Sequence, residues 1–148
     1  VKKMWLLLPL IALLLCGCEK EIKPFKLDEK YYNKKDVINT NANDFNKLVT
    51  DKKSFVLFVY MSGCISCSDF DKVLADFLEE NNITIYKISY SDIIGTFLED
   101  KILYAPSLVL FDKGKLVAYL DAISKKDLPF YESSEGLTKW FTKYVEVN

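Results

Sequence analysis

Between residues 36 and 146 short apolar runs alternate with segments whose apolar residues recur every three or four positions. Val37-Ile38-Asn39-Thr40 predicts a short strand. Phe45, Leu48 and Val49 then share one face of a short helix that Asn43 or Asp44 can cap. Phe55 to Tyr60 is an unbroken run of β-branched, aliphatic and aromatic residues, the pattern of a strand covered on both faces of a sheet. After Met61-Ser62-Gly63-Cys64-Ile65-Ser66-Cys67, the residues Phe70, Val73, Leu74, Phe77 and Leu78 fall on one stripe of a helix, and Asn81-Asn82 stops it. Ile83 to Ile88 predicts a second buried strand, and Ser91 or Asp92 opens a helical stretch to Asp100. Tyr104-Ala105-Pro106 interrupts the chain. Ser107 to Phe111 and Lys115 to Leu120 then form a hairpin across Asp112-Lys113-Gly114. A polar segment leads to a last helix with Leu137, Trp140, Phe141 and Tyr144 on one stripe. The order βαβαβαββα predicts an α/β fold: a central mixed sheet flanked by helices, parallel at its centre, with the hairpin adding antiparallel strands at one side.

The first residues follow a different pattern. Lys2 and Lys3 precede an apolar run from Trp5 to Leu15, shorter than the about 20 residues a spanning helix needs and matching a signal-peptide core. Leu15-Cys16-Gly17-Cys18 resembles the bacterial lipobox, with an aliphatic residue at −3 and a small one at −1 of the lipidated cysteine. Cys18 satisfies that pattern, whereas Cys16 would place bulky Leu15 at −1. The expectation is a lipoprotein signal peptide over 1–17, an acyl (palmitate-type) anchor on Cys18, a lysine-rich flexible tether over 18–35 and a folded domain over 36–148. Such a tether would reach at most about 55–60 Å. An ordinary cleaved secretory signal is the alternative, and it leaves a soluble secreted protein. Either way the domain works outside the cytoplasm, where disulfides persist.

Composition narrows the chemistry. The 148 residues suit one domain, and the 20 basic residues are all lysine, with no histidine and no arginine. A Ser-His-Asp triad, a histidine acid–base pair and a histidine-ligated metal are therefore excluded from this chain. A formal charge of −1 without a basic cluster argues against nucleic acid as a partner. What remains is the cysteine pair. With Cys16 removed and Cys18 acylated, Cys64 and Cys67 are the thiols left, and they stand between a buried strand and a helix start. There the unpaired N–H groups and the helix dipole stabilise a thiolate. Its pKa can fall from about 8.5 toward about 3.5–7.5. Cys64 becomes the candidate nucleophile; Cys67, three residues on and on the same face, can attack a mixed disulfide. The plainer readings are a stable structural bridge or inert thiols. Two thiols without imidazole fall short of a zinc site, so no metal is expected.

These pieces together resemble the thioredoxin superfamily. Within it they resemble the thioredoxin-like lipoproteins and bacteriocin-transport accessory proteins of Gram-positive bacteria. The resemblance rests on Phe55 to Tyr60, Cys64-Ile65-Ser66-Cys67 and its helix, Tyr104-Ala105-Pro106-Ser107 before Leu108 to Phe111, and Lys113-Gly114-Lys115, and it covers about residues 36–146. It implies a thioredoxin-like fold in which Pro106 is a cis-proline packed against the cysteines and the Ala105 backbone pairs with an extended substrate. Without the cysteines, Pro106 reads as an ordinary turn proline. Lys87 stands where the family often carries a lysine on the neighbouring strand. It is a possible proton relay, or else an edge lysine with its stem on the surface. Gly63 replaces the tryptophan common before the first cysteine, Ile65-Ser66 replaces Gly-Pro, Phe58 occupies the place of the family's buried acid, and Asp121 aligns near a usual glycine. Tyr60, Met61 and Tyr104 either line a groove or belong to the core, and Asp69, Asp71, Glu79 and Glu80 read as a solvated helix face. The implied function is a membrane-anchored, extracytoplasmic thiol–disulfide oxidoreductase. It would act on protein or peptide thiols and disulfides, with no cofactor beyond its own dithiol and a membrane thiol donor or an oxidant as electron partner. The alternative is an accessory or binding lipoprotein, for example for secreted-peptide export, whose cysteines are not catalytic.

Overall fold

A computed structural model describes residues 22–147. The signal segment 1–17 and the cysteines Cys16 and Cys18 lie outside the described residues. Strand β1 (Asp36–Asn39) leads to helix α1 (Ala42–Thr50), β2 (Phe55–Tyr60), α2 (Ile65–Asn81), β3 (Thr84–Ser89), α3 (Tyr90–Ile93), β4 (Ser107–Asp112), β5 (Lys115–Tyr119) and α4 (Ser134–Phe141). The strands form one mixed sheet in the order β1-β3-β2-β4-β5. β1, β3 and β2 run parallel, and β4 and β5 are antiparallel, as the alternation of elements predicts. Among the described residues no helix is long and apolar enough to cross a membrane.

Register decides which side chains meet. Phe55 lies opposite Phe111 and Leu57 opposite both Tyr86 and Val109, so these residues share one face. Phe55 and Phe111 stack at 4.6 Å, and Phe45 from α1 meets both edge-on at 6.4 and 5.6 Å. Phe58 lies opposite Lys87 and Leu108 on the other face. There Phe70 of α2 reaches Phe58 at 5.6 Å, and Phe77 packs on Phe141 of α4 at 5.1 Å. Both faces are thus covered, which is why β2 carries no polar alternation.

Several boundaries differ from the expectation. Asn41, not Asn43 or Asp44, caps α1, accepting the N–H groups of Asn43 and Asp44 at 2.9 and 3.1 Å. The stretch from Ser91 to Asp100 is not one helix. α3 ends at Ile93, and Gly95 with φ +81° turns the chain away. Tyr144 lies in the turn after α4 rather than in it. At the hairpin tip Lys113 and Gly114 have φ +50° and +75°, the left-handed pair that matches strand twist. Gly114 donates its N–H to the Lys53 carbonyl at 2.8 Å, and a Cβ at this position would collide with the Val49 carbonyl.

The flexible tether expected through residue 35 requires correction. Residues 25–34 cross the pole of the sheet where β2 and β3 begin. Phe25 pairs with the chain after α4, donating to the Tyr144 carbonyl at 2.8 Å and accepting from Glu146 N–H at 2.9 Å. Asp28 N–H donates to the Ser54 carbonyl at 3.0 Å, and its carboxylate accepts Ser54 N–H at 3.1 Å. A single 3-10 turn, Glu29–Tyr31, follows. Leu27 and Tyr31 are 3% and 2% exposed. The segment is lysine-rich, yet its scattered apolar residues close an otherwise open end of the core.

Tyr31 and Tyr86 share a hydroxyl–hydroxyl hydrogen bond of 2.9 Å at this pole. Burial, then the bond from Tyr31, pushes the Tyr86 phenol up to about 12, and burial raises Tyr31 and Tyr32 as well. An unfolded tyrosine ionises near 10. A phenol raised in the folded state favours folding fully below that value, and this contribution is lost as pH climbs through the folded value. The urea midpoint is therefore expected to hold up to about pH 10 and to fall between about pH 10 and 12. Replacing Tyr86 by phenylalanine should flatten that fall; equal slopes for the two proteins would contradict the assignment.

Candidate functional site

The end of β2 delivers the chain to a turn in which Gly63 has φ +75°. Cys64 follows as the N-cap of α2. Its Sγ accepts the N–H of Cys67 at 3.0 Å, placing the sulfur where the first orphan donors of the helix point. Cys64 and Cys67 form a disulfide with Cα atoms 5.2 Å apart. The two sulfurs are not equivalent: Cys64 is half-buried, while Cys67 is 3% exposed. Reagents in solution therefore meet Cys64 first. The Ser66 hydroxyl lies 3.2 Å from Cys64 Sγ.

The loop before β4 closes the other side. The Ala105–Pro106 peptide bond is cis, and the Ala105 carbonyl oxygen stands 4.0 Å from Cys64 Sγ. Pro106 is buried and its carbonyl accepts the Tyr131 hydroxyl at 2.9 Å. Tyr131 is pushed far up from the ordinary phenol value by burial, then by the nearby charges of Asp127 and Asp121. It stays a donor throughout the neutral range. Met61 and Tyr104, at 50% and 47% exposure, face solvent rather than the core, and Ile65 beside them is 81% exposed. Tyr60 is half-buried against the core.

Lys87 is not an edge residue, because β3 lies between β1 and β2. Its ammonium donates to both Asp71 carboxylate oxygens, at 3.0 and 3.1 Å. It also sits 4.6 Å from the centre of the Tyr60 ring and 5.2 Å from that of Phe58. Asp71 keeps the solvated position that the helix pattern assigns it, with its side chain 45% exposed, but it is ion-paired across to the sheet. It lies one helical turn after Cys67 and gives Lys87 a carboxylate partner from α2, where Phe58 on β2 offers none. The signal lay in the i, i+4 spacing of Cys67 and Asp71, but the partner across the sheet became visible only with the register. Asp69 pairs with Lys72 at 2.9 Å and Glu79 with Lys35, both at the surface. Among the described residues no three His, Cys, Asp or Glu side chains gather as a metal site.

No protein-family model matches the chain, and no curated protein sequence does. Solved structures do. A mutant thioredoxin from Halobacterium salinarum is 16% identical with a TM-score of 0.58, the match covering 77% of this chain and 95% of that one. A reduced Schistosoma mansoni thioredoxin is 14% identical at 0.57, covering 74% and 99%. The J-Trx1 fragment of ERdj5 is 19% identical at 0.54; the match covers 72% of this chain but only 50% of that fragment.

Proposed function

On the thioredoxin fold that these neighbours establish, we propose that the protein is a thiol–disulfide oxidoreductase working through Cys64 and Cys67. The observation that carries this reading is the asymmetric disulfide at the start of α2, with Cys64 half-buried and N-capping the helix and Cys67 enclosed. In the reducing direction, the Cys64 thiolate attacks a substrate disulfide, forming a mixed disulfide and releasing one substrate thiolate. Cys67 then attacks Cys64 Sγ, the second substrate sulfur leaves as a thiolate, and the Cys64–Cys67 bond closes. The oxidising direction is the same sequence reversed. Ala105, whose backbone lies against Cys64, is the proposed pairing site for an extended substrate, with Pro106 shaping that loop. No cofactor takes part. The electrons come from a membrane thiol donor or pass to an oxidant. The N-terminal signature supports an acyl anchor at Cys18 and a site of action on the outer face of a cell membrane.

The test is equilibration of the protein with dithiothreitol or glutathione followed by thiol trapping. A potential between about −270 and −120 mV fits an exchanging dithiol. A bond that resists reduction below about −300 mV, or thiols that never pair, would return the cysteines to a structural role and favour the accessory-protein reading.

Lys87, clamped by Asp71, is the proposed proton-relay group on the Cys67 side. Replacing Lys87 with methionine removes the proposed proton acceptor. The resolving step should slow several-fold at pH 7 and recover at higher pH. A rate lowered equally at every pH would show that the pair is only structural.

A further inference from the structure

The sequence holds no basic cluster, yet the fold assembles one at the pole where β2 begins. Gly114 N–H donates to the Lys53 carbonyl at 2.8 Å and Lys113 N–H to the Ser54 hydroxyl oxygen at 3.0 Å, which sets the hairpin tip against the turn after α1. Asp28 holds the same turn, through Ser54 N–H and through the Lys53 ammonium at 3.4 Å, and so brings in the segment 22–35. The chain after α4 joins through Phe25. In these four segments, 22–35, 51–54, 112–115 and 143–146, lysines outnumber carboxylates ten to five. In the rest of the described residues carboxylates outnumber lysines fourteen to seven. Lys52, Lys113 and Lys115 are exposed and form no ion pair among the described residues. The flanking Glu79 and Glu80 are engaged by Lys35 and Ser134.

We propose that this pole is a docking surface for an anionic lipid bilayer, whose headgroup phosphates meet Lys52, Lys113 and Lys115. The backbone gives the first argument. Lys52 and Lys113 have φ +54° and +50°, a left-handed region that glycine and asparagine enter more easily than lysine. Lysine at both turns suits the fold less well than asparagine, so what it adds there is charge. Reach gives the second argument, and here the inference rests on the acyl-anchor reading of Cys18. Phe25 is the first residue that the domain holds by hydrogen bonds. The seven residues from Cys18 to Phe25 reach at most about 25 Å, less than half the about 55–60 Å of a tether through residue 35. An anchored pole therefore stays within about three Debye lengths of the headgroups, each about 8 Å at physiological ionic strength. Over that range an anionic surface attracts the lysines and repels the acidic remainder of the domain.

Vesicle sedimentation tests this with the chain from residue 19, which contains every described residue and no acyl group. The protein should bind vesicles of phosphatidylcholine and phosphatidylglycerol in equal parts and ignore vesicles of phosphatidylcholine alone. Bound protein should detach as salt rises from about 0.1 to about 0.5 M. Lys52→Asn combined with Lys113→Asn removes two charges and eases both backbones. Affinity should fall about thirtyfold, about fivefold for each lysine, while the urea midpoint holds or rises. Lys125→Asn combined with Lys126→Asn removes the same charge from the loop whose Leu128 borders Ser66 and Pro106 beside the disulfide; it should leave the affinity unchanged. Equal binding to the two kinds of vesicle, or an equal fall with the two pairs of substitutions, would overturn the docking surface. Binding to soluble polyphosphate as tight as to the mixed vesicles would make the occupant a free polyanion and overturn the lipid assignment. The anchor reading fails separately, if the mass of the protein isolated from cells shows no acyl group on Cys18; vesicle binding alone then decides the docking surface.

Discussion

Replacing Cys64 with serine is expected to lower the exchange rate with a peptide disulfide by at least about a thousandfold, because the nucleophile itself is lost. Replacing Cys67 with serine has a different signature. Cys64 still attacks, but nothing releases the product, so mixed disulfides accumulate that non-reducing electrophoresis detects and dithiothreitol dissolves. The difference follows from exposure: Cys64 is half-open to solvent and Cys67 is enclosed. A Cys67→Ser protein should trap partners through Cys64, whereas the Cys64→Ser protein should trap almost none. Full turnover by Cys64→Ser would end the catalytic assignment. Equal trapping by the two variants would end the division of labour between the sulfurs.

Removing residues up to 35 is expected to destabilise the fold by about 3–6 kcal/mol. Leu27 and Tyr31 are almost completely buried, and fully burying a large apolar side chain is worth about 1.5–3 kcal/mol. The deletion also leaves Ser54 N–H and its carbonyl without the Asp28 partners they now have at 3.1 and 3.0 Å. Against a total stability of about 5–15 kcal/mol, that loss takes the domain to the edge of folding. Urea denaturation of chains beginning at residue 22 and at residue 36 measures it directly. Matching midpoints would mean that the segment is a tether after all.

This second prediction also marks where the sequence stops being legible. β2 and α2 are readable because each presents a sustained pattern, six consecutive apolar residues in one and a 3.6-residue stripe in the other. The cysteines between them inherit their meaning from those neighbours. The segment 25–34 has no period. Phe25, Tyr31 and Tyr32 are each held by bonds to residues more than fifty positions away, Leu27 is buried between them, and a local window sees only lysine and acid. The same holds for the partner of Asp71: its helix position says surface, where it stays, and only the alignment of Lys87 with Phe58 across β3 and β2 shows which lysine meets it. The segment 121–133 escapes notice because its hydrogen bonds are mostly short turns within itself, with one long reach from the Tyr131 hydroxyl to the Pro106 carbonyl, rather than a ladder. Pattern reports on periodic elements, and these features are aperiodic connections whose order is tertiary.

The route by which the chain enters the domain also fixes how the domain faces its surroundings. Residues 25–34 run under the end of the sheet where β2 starts, while the disulfide caps the end where β2 stops. Six strand residues separate those ends by about 20 Å. Whatever is attached ahead of Ile22, whether a surface, a bead or a fused protein, holds the molecule from beneath and leaves the disulfide pointing outward. A protein coupled to beads through Ile22 should therefore have its disulfide reduced by dithiothreitol as fast as that of the free protein.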